Sequence, residues 1–362
     1  MKNELSNFYQ DKTVLITGHM GFKGTWLAQM LLAMGAKVIG YGLDNRVRPS
    51  VFAMSGLEEE MISIEGDICN LESLHRTFQA YRPQIVFHLA AQPIVRTSYD
   101  QPVGTYHTNV MGTVHMLECV RLCESVRSVV NVTTDKVYDN QEIDYSYKET
   151  DVLNGFDPYS NSKSCSELVT SSYRKSFFQN REIGISTARA GNVLGGGDFS
   201  PDRIMADCVR CKMLDQTILI RNPNSVRPYQ YVLDALYAYL LIGASQYEKK
   251  SASEEYNVGP QKEDCVTTKE LVELFCQEWE GAKWESQQMD GPHEAGYLKL
   301  NSDKIERKLG YRPIFSIHDT VKALVEWSKA FDAGEEMQEV MKRQVHTYLE
   351  MRNEGKAWNE LL

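Results

Sequence analysis

Short β-branched runs alternate with helical patterns through the first half of the chain. Six runs have the length and composition of buried parallel strands, and they lie at residues 13–17, 37–42, 61–66, 85–89, 128–133 and 183–189. Apolar residues at helical spacing separate these runs, most clearly at 70–81 and 103–123. This alternation predicts an α/β fold with a doubly wound parallel sheet.

A glycine-rich loop follows the first strand directly. Its glycines are spaced Gly-x-x-Gly-x-x-Gly, and a helical pattern begins as soon as the loop ends. Glycines allow a tight turn and let the backbone approach a pyrophosphate, which the N-terminus of a helix attracts. The loop therefore predicts a dinucleotide site, with an ordinary glycine turn as the alternative. The residues expected there are Gly18, Gly21, Phe22, Lys23 and Gly24.

Acidic residues follow the second and third strands. Asp44 lies about twenty residues beyond the loop, where a carboxylate binds a ribose diol and repels a 2′-phosphate, which favours NAD over NADP. Arg46 and Arg48 follow closely and could accommodate that phosphate, so NADP stays open. Asp67, followed by Ile68, ends the third strand and could bind the adenine amine.

The fourth strand ends in small side chains. Ala90 and Ala91 leave room for a cofactor to lie close to the backbone. His88 lies within the apolar run before them, so we expect a hydrogen-bonded core histidine there. Asn109 lies inside the long helical pattern at 103–123, where it is either a group of the site or a buried bridge between helices.

Two further stretches carry reactive side chains. The fifth strand delivers Thr134, Asp135 and Lys136 at its carboxyl end, where ligands of open α/β sheets bind; a surface turn is the alternative. Tyr159 and Lys163 are four residues apart on a predicted helix, so they share one face. A free tyrosine has a pKa of about 10, and we expect Lys163 to lower the pKa of Tyr159, which makes it an acid–base group.

The pattern changes after residue 190. Short strands at 218–220 and 256–258 mix with helices at 232–244, 268–279 and 320–331. We expect a dinucleotide-binding domain over 1–190, with return segments from about 228 to 260. A smaller, mixed α/β substrate domain is expected mainly over 191–362, interleaved with the first.

Composition excludes several classes of partner. The net charge of −10 argues against nucleic acid, which needs a basic face. The longest apolar run, at 235–244, is too short to span a bilayer. The N-terminus has no long apolar stretch, so we expect no signal peptide and a cytoplasmic location. The Cys-x-x-Cys at 208–211 has no second pair, so no metal site is predicted.

The combined motifs resemble those of the extended short-chain dehydrogenase/reductase family over about the first 260 residues. They are Thr17-Gly18-x-x-Gly21-x-x-Gly24, Gly66-Asp67, His88-Leu89-Ala90-Ala91, Asn109-Val110-x-Gly112-Thr113, Tyr159-x-x-x-Lys163, Arg189-x-Gly191-Asn192-Val193 and Tyr256-Asn257-Val258-Gly259.

Within that family the chain is similar to the nucleotide-sugar 4,6-dehydratases, and most to those that act on CDP-D-glucose. The residues that carry this similarity are Gly21-Phe22-Lys23-Gly24, Ala91-Gln92-Pro93-x-Val95-Arg96, Thr134-Asp135-Lys136, Arg227-Pro228-x-Gln230-Tyr231 and His293-Glu294-Ala295. Met20 and Tyr229 depart from the usual pattern. The related dTDP-glucose enzymes have Asp-Glu where this chain has Asp135-Lys136.

The resemblance implies a Rossmann fold and an NAD-dependent lyase that converts CDP-D-glucose to CDP-4-keto-6-deoxy-D-glucose and water. Oxidation at C4, elimination across C5 and C6 and hydride return to C6 would make it an early step of deoxysugar synthesis, of the lipopolysaccharide O-antigen type. The implied cofactor residues are Gly18, Gly21, Phe22, Lys23, Gly24, Asp44, Asp67, Ile68, Leu89, Ala90, Ala91, Asn109, Tyr159 and Lys163. The implied substrate residues are Gln92, Arg96, Asn192, Arg203, Arg227 and Tyr229.

The resemblance also assigns catalytic roles. Tyr159 would take the proton of the sugar 4-hydroxyl, and Thr134 would bind the same oxygen. Asp135 would protonate the leaving 6-hydroxyl if burial keeps it protonated. Lys136 would be either the base at C5 or an electrostatic stabiliser of the enolate. A homodimer formed by the helices at 103–123 and 159–178 is implied as well.

Three alternatives to this reaction stay open on the sequence. Another nucleotide-sugar 4,6-dehydratase would differ only in the base it recognises. A 4-epimerase would share the fold, the cofactor and the pair Tyr159 and Lys163, but it needs no acid and base for loss of water. A non-catalytic NAD-sensing protein would need none of the catalytic side chains together.

Overall fold

The computed structural model of the chain describes residues 4–44, 48–287 and 295–355. Its strands are β1 Thr13–Thr17, β2 Lys37–Gly42, β3 Ile62–Glu65, β4 Ile85–His88, β5 Ser128–Thr134, β6 Ser146–Tyr147, β7 Gly184–Ala190, β8 Asn192–Leu194, β9 Ile218–Ile220, β10 Val226–Arg227, β11 Tyr229–Tyr231, β12 Glu255–Val258, β13 Val266–Thr267, β14 Trp284–Ser286 and β15 Lys299–Leu300.

Seven of these strands form one parallel sheet in the order β12-β7-β5-β4-β1-β2-β3. The six strands predicted in the first half are therefore confirmed, as is the doubly wound parallel sheet. Strand order reverses between β1 and β4, which creates the crevice where open α/β sheets bind ligands. The other strands pair in four two-stranded sheets, β8 with β11, β9 with β14, β10 with β13 and β6 with β15.

The helices are α1 Glu4–Tyr9, α2 Phe22–Ala33, α3 Val51–Met54, α4 Leu57–Glu60, α5 Leu71–Tyr81, α6 Val95–Asp100, α7 Pro102–Tyr106, α8 Gly112–Leu122, α9 Pro158–Phe177, α10 Ile204–Met213, α11 Val232–Glu248, α12 Thr268–Glu278, α13 Asp303–Leu309, α14 Ile317–Asp332 and α15 Met337–Glu354. The helix expected over 103–123 is interrupted by a π-helical turn, His107–Met111, between α7 and α8. Among the described residues, no helix combines the length and apolar character needed to cross a membrane.

Both faces of the large sheet are buried. Along β1, Val14 and Ile16 pack in the cluster that contains α2 and α11, while Leu15 packs in the cluster that contains α5 and α8. A sheet covered on both sides favours apolar residues at successive positions, which is why its central strands read as mostly apolar runs, while the edge strand β3 is only partly buried. A third apolar cluster joins α10, α12 and α14 in the second half of the chain.

Strand β12 returns from the second half of the chain to the edge of the large sheet, beside β7. The second half therefore contributes to both the large sheet and the small sheets. The domain boundary at residue 190 stays a prediction.

A buried carboxylate fixes the C-terminal helix α15 to α11. Asp234 is fully buried and accepts hydrogen bonds from the backbone N–H groups of Ile314 and Phe315, at 3.1 and 3.0 Å. The Tyr348 hydroxyl donates to it at 2.8 Å and Arg352 at 2.6 Å. Because α15 also contacts α2, this cluster supports the helix that begins at the glycine loop.

Candidate active site

A cavity of about 910 Å³ opens at the carboxyl ends of the parallel strands. Residues at or just after the ends of strands line it, among them Gly18 after β1, Asp67 after β3, Leu89 after β4 and Thr134 at the end of β5. This is the edge at which the order of strands reverses, as expected for ligand binding in this class of fold.

Most of the predicted site residues share this cavity. They are Gly18, Gly21, Phe22, Lys23, Gly24, Asp44, Asp67, Ile68, Leu89, Ala90, Ala91, Gln92, Arg96, Thr134, Lys136, Tyr159, Lys163, Asn192, Arg203, Arg227 and Tyr229. Two predicted residues, Asn109 and Asp135, are buried behind its wall.

The glycine loop forms a close-fitting turn. Gly18 has a φ of +77°, and a Cβ there would lie 2.8 Å from the backbone nitrogen of Ala90. A Cβ on Gly24 would lie 2.2 Å from the carbonyl oxygen of Gly18. Helix α2 starts at Phe22 after Gly21, and no side chain caps it. Backbone N–H groups at this helix start are thus available to a diphosphate.

The expected adenosine end of the cavity carries two carboxylates. Asp44 forms an ion pair with Arg48, with 2.6 Å between Oδ2 and Nη2. Asp67 accepts a hydrogen bond from the backbone N–H of Cys69 at 2.9 Å, which fixes its side chain. Arg46, the other candidate for a 2′-phosphate, lies outside the described residues.

Asn109 forms the buried bridge that was one of its two predicted roles. Its Oδ1 accepts from the backbone N–H of Gln92 at 2.8 Å, and its Nδ2 donates to the Gln92 carbonyl and to Ser162 on α9. The Gln92 side chain donates to Thr105 and holds its own loop. His88 is likewise a hydrogen-bonded core residue. Direct contact of Asn109 with the cofactor stays a prediction.

Tyr159 and Lys163 both face the cavity from the first turns of α9. Burial lowers the pKa of Lys163 to about 8, and its Nζ donates to the carbonyl of Val132 at 3.1 Å. Burial raises the pKa of Tyr159 to about 12, while Arg203 and a hydrogen bond with Thr134 oppose that rise. The predicted lowering of the Tyr159 pKa is therefore wrong: desolvation outweighs the nearby cations, and the main opposing cation is Arg203.

The turn after β5 joins an acid and a base. Asp135 is fully buried, and its Oδ1 accepts from the Thr134 hydroxyl at 2.9 Å and from the Lys136 amine at 3.0 Å. Its Oδ2 is buried and has no partner within the described part of the chain. Lys136 also donates to Oδ1 of Asn192 at 3.1 Å. Asp135 is thus connected to the cavity by its hydrogen bonds with Thr134 and Lys136, which line it.

Four cations that interact with one another line the cavity, together with several carboxylates. Lys23, Lys136, Lys163 and Arg203 all line it, although the chain as a whole carries a net charge of −10. Burial, together with the charges of Arg203 and Lys163, lowers the pKa of Lys23 to about 7. Such a group of cations in a partly desolvated site favours an anionic ligand.

The predicted substrate arginines line one side of the cavity. Arg96 and Arg203 lie 3.5 Å from Asp202 and Asp198, respectively. Arg227 donates to the carbonyl groups of Val226 and Ala295. Each guanidinium is therefore positioned by the protein itself.

Two further predictions concern Tyr229 and the segment 293–295. The Tyr229 hydroxyl is 3.1 Å from Thr268 Oγ1. His293 and Glu294, which contributed to the resemblance, lie outside the described residues; Ala295 lines the cavity.

Comparison with known proteins identifies the family. The family model described as GDP-mannose 4,6 dehydratase matches residues 15–324. The chain belongs to this 4,6-dehydratase family. A relative from Salmonella typhimurium, named CDP-glucose 4,6-dehydratase, is 44% identical over 350 residues, which are 95% of this chain and 98% of that protein. The resemblance to nucleotide-sugar 4,6-dehydratases is confirmed.

More distant members of the 4,6-dehydratase family agree with this. The mouse dTDP-D-glucose 4,6-dehydratase is 27% identical over 87% of this chain and 88% of that protein. The solved structure of a Streptomyces venezuelae dTDP-glucose 4,6-dehydratase with NAD bound has a TM-score of 0.77 and 26% identity. It covers 89% of this chain and 98% of that chain.

Sequence reasoning missed the part of this 4,6-dehydratase cavity that α14 contributes. Leu324, Trp327 and Ser328 line it, although they are far along the chain from the motifs. A Cβ on Gly196 would lie 2.1 Å from Cγ of Trp327, so only glycine allows this close packing. The run of three glycines at 195–197 was the available signal that a helix would approach here.

Proposed function

We propose that this member of the 4,6-dehydratase family removes water from CDP-D-glucose and forms CDP-4-keto-6-deoxy-D-glucose. The carrying observation is the turn after β5, in which Thr134 and Lys136 share one oxygen of buried Asp135 beside Tyr159. A 4-epimerase needs Tyr159 and Lys163 but has no step that uses this acid and base. The 44% identical Salmonella relative supports the same reaction and the same nucleotide.

The cofactor of the proposed reaction is NAD. The glycine loop and the start of α2 would hold its diphosphate, and Asp44 would bind its adenosine ribose. Bound NAD supplies a hydride acceptor and a positively charged ring. The Streptomyces relative with NAD bound supports this assignment.

Tyr159 prepares the sugar for oxidation by taking the proton of the 4-hydroxyl group. A phenol with a pKa of about 12 is protonated at neutral pH, so this role needs positive charge beside it. Arg203 already lowers the pKa of Tyr159 most, and Thr134 lies within hydrogen-bonding reach of the phenol. The 4-oxygen of the substrate would therefore bind between the Thr134 hydroxyl and the Tyr159 phenol, and its proton would pass to the phenol.

Asp135 and Lys136 carry the elimination as one unit. The pair has two forms with the same number of protons. In one, Lys136 is an ammonium and Asp135 a carboxylate; in the other, one proton has moved, so that Lys136 is neutral and Asp135 is protonated. The proposed elimination starts from the uncharged form, in which Lys136 has a lone pair and Asp135 holds the proton. Lys136 takes the C5 proton, and the 6-hydroxyl leaves as water with a proton from Asp135 that passes through the Thr134 hydroxyl. Proton transfer from Lys136 to Asp135 over their 3.0 Å contact then restores the pair.

A direct assay tests the proposal. Purified protein with CDP-D-glucose and NAD should form a 4-keto-6-deoxy sugar, detected by its absorbance in alkali, and dTDP-, GDP- and UDP-glucose serve as competing substrates. Tyr159→Phe should lower the rate by at least about 100-fold, because it removes the acid–base group. An epimerised product would favour the 4-epimerase, and faster turnover of another nucleotide sugar would change the substrate.

The proposed oligomer is a homodimer built on α7, α8 and α9. These neighbouring helices present large apolar side chains to solvent: Val103 is 82% exposed, Leu168 58% and Leu122 52%. A surface with several such residues marks a protein contact. Light scattering should give twice the mass of the chain, and a monomeric mass would reject the dimer.

A further inference from the structure

Two acceptors from separate parts of the chain hold the Lys136 amine. One is Asp135, its neighbour in the turn, at 3.0 Å, and the other is Asn192 on β8, at 3.1 Å. A neutral amine has two N–H donors and one lone pair. When both N–H groups are donated, the directions of the two acceptors also fix the direction of the lone pair. Lys136 is a quarter exposed and lines the cavity, so the remaining direction is open to a substrate.

Asn192 stands on a rigid support. Strand β8 pairs in parallel with β11, so that Asn192 lies opposite Tyr229, and its backbone N–H donates to the carbonyl of Pro228 at 3.1 Å. A Cβ on the preceding Gly191 would lie 2.4 Å from that same carbonyl oxygen, which makes the close pairing of the two strands dependent on glycine. The amide is therefore held at a fixed place above the turn that carries Lys136.

The amide also has the right charge for this task. A carboxylate at position 192 would stabilise the ammonium form of Lys136, whereas the amide oxygen accepts the same hydrogen bond without a full charge. The cavity that this amine lines carries both signs of charge, with Asp135 buried behind its wall. Besides the Tyr159 phenol, its cations are Lys23, Lys163, Arg96, Arg203, Arg221 and Arg227, and its acids are Asp44, Asp67, Glu142, Asp157, Asp198, Asp202 and Asp207. Among the described residues, Asp135 is the one acid that hydrogen-bonds to Lys136, so a carboxylate at position 192 would place a second acid in direct contact with the amine.

We propose that Asn192 is a positioning residue that aims the lone pair of Lys136 at C5 of the bound sugar, which makes Lys136 the base of the elimination. The inference rests on the proposed function and deepens it. In this step the C5–H bond breaks, its proton goes to Nζ of Lys136, and its electron pair forms the C5=C6 bond. The C6–O bond breaks as the hydroxyl leaves as water with the proton from Asp135.

Asn192→Ala and Asn192→Asp test the inference in the holoenzyme with CDP-D-glucose. In Asn192→Ala the C4 oxidation should persist, so the absorbance of reduced cofactor should accumulate. C5 exchange with deuterated solvent and kcat should both fall about 100-fold, as expected for a displaced base. KM and the Kd of CDP should change less than about threefold, since Arg203 and Arg227 remain for the diphosphate and the Asn192 side chain is bonded to Lys136.

Asn192→Asp tests the pH dependence of kcat, which a purely structural role of Asn192 would leave unchanged. Its kcat should recover at alkaline pH, because a second carboxylate beside Lys136 makes the neutral amine accessible only at higher pH. An unchanged pH profile would overturn the inference. So would an Asn192→Ala variant whose whole defect lies in KM and in CDP affinity, because Asn192 would then only anchor the diphosphate.

A second measurement separates this inference from the proposed function. The pH dependence of Lys136 acylation, followed by peptide mass spectrometry, needs no substrate. Acylation should shift to higher pH in Asn192→Asp relative to the unsubstituted protein, and no shift would reject the contact. If the unsubstituted protein leaves CDP-D-glucose unchanged while the acylation shift is present, the substrate is wrong and the positioning of Lys136 stands.

Discussion

Lys23 should make cofactor binding depend on pH. This lysine lies in the first turn of α2 and lines the cavity beside the glycine loop. Burial and the charges of Arg203 and Lys163 lower the pKa of its amine to about 7. Only the protonated amine attracts a diphosphate strongly, so we predict that the affinity for NAD is highest below pH 7 and falls as the pH rises through that value.

The pKa of Lys23 sets the size of the effect. A group with a pKa of about 7 is about 90% protonated at pH 6 and about 9% protonated at pH 8. If the diphosphate binds only the protonated form, the Kd for NAD rises about tenfold over this interval. The Kd rises with pH because a bound anion stabilises the ammonium form of Lys23, and that stabilisation is lost when the proton leaves.

Equilibrium dialysis of NAD between about pH 6 and pH 8, in the range where the amine titrates, measures this prediction. Lys23→Arg should bind NAD with little pH dependence, because a guanidinium stays charged throughout. Lys23→Met should bind more weakly at low pH, with an equally flat profile. A flat profile in the unsubstituted protein, or a pH dependence that persists in Lys23→Met, would contradict the role of Lys23.

Three further predictions follow from single contacts. Arg352→Met should lower the free energy of unfolding in urea by about 3 kcal/mol at neutral pH, because it leaves Asp234 as an unpaired buried charge. Burial already raises the pKa of Asp234, so this loss should shrink as the pH falls and the carboxyl takes up a proton; a pH-independent loss would contradict it. Gly196→Ala should weaken CDP binding and cost about 1–3 kcal/mol in stability, because its Cβ would overlap Trp327; unchanged calorimetric values would refute this. Leu168→Glu should give a monomer by light scattering, while a dimer of unchanged stability would exclude α9 from the interface.

The large sheet could be predicted because its strands are buried on both faces. Runs such as 128–133 are rich in valine, and β5 is buried throughout although it includes Ser128 and Asn131. A return segment from about 228 to 260 was expected, but the pairing of β12 with β7 was not predicted. The residues of β12 form a strand by composition, but its partner β7 is distant in the chain, and only tertiary packing selects that pair.

The carboxyl ends of the strands identified most of the site, because parallel strands bring their ends to one edge of the sheet. The orientation of individual side chains could not be predicted in this way. Asp135 starts a 3-10 turn immediately after β5, and this turn directs its carboxyl group inward, while Lys136 reaches the cavity. The pKa of Tyr159 depends on how deeply the phenol is buried, which spacing alone does not reveal.

The proposed base Lys136 has a charged neighbour on each of two elements, Asp135 in its own turn and Lys23 on α2. Lys136 lies 3.0 Å from Asp135, and its charge interacts with that of Lys23 across the cavity. Interacting groups titrate as a set, so the pH profile of the elimination belongs to the set rather than to one residue. Removal of the charge in Lys23→Met and addition of a carboxylate in Asn192→Asp both favour the ammonium on Lys136. Both variants should therefore move the onset of C5 exchange to higher pH. An unmoved onset would mean that the exchange does not use a neutral Lys136, as expected if Lys136 only stabilises the enolate.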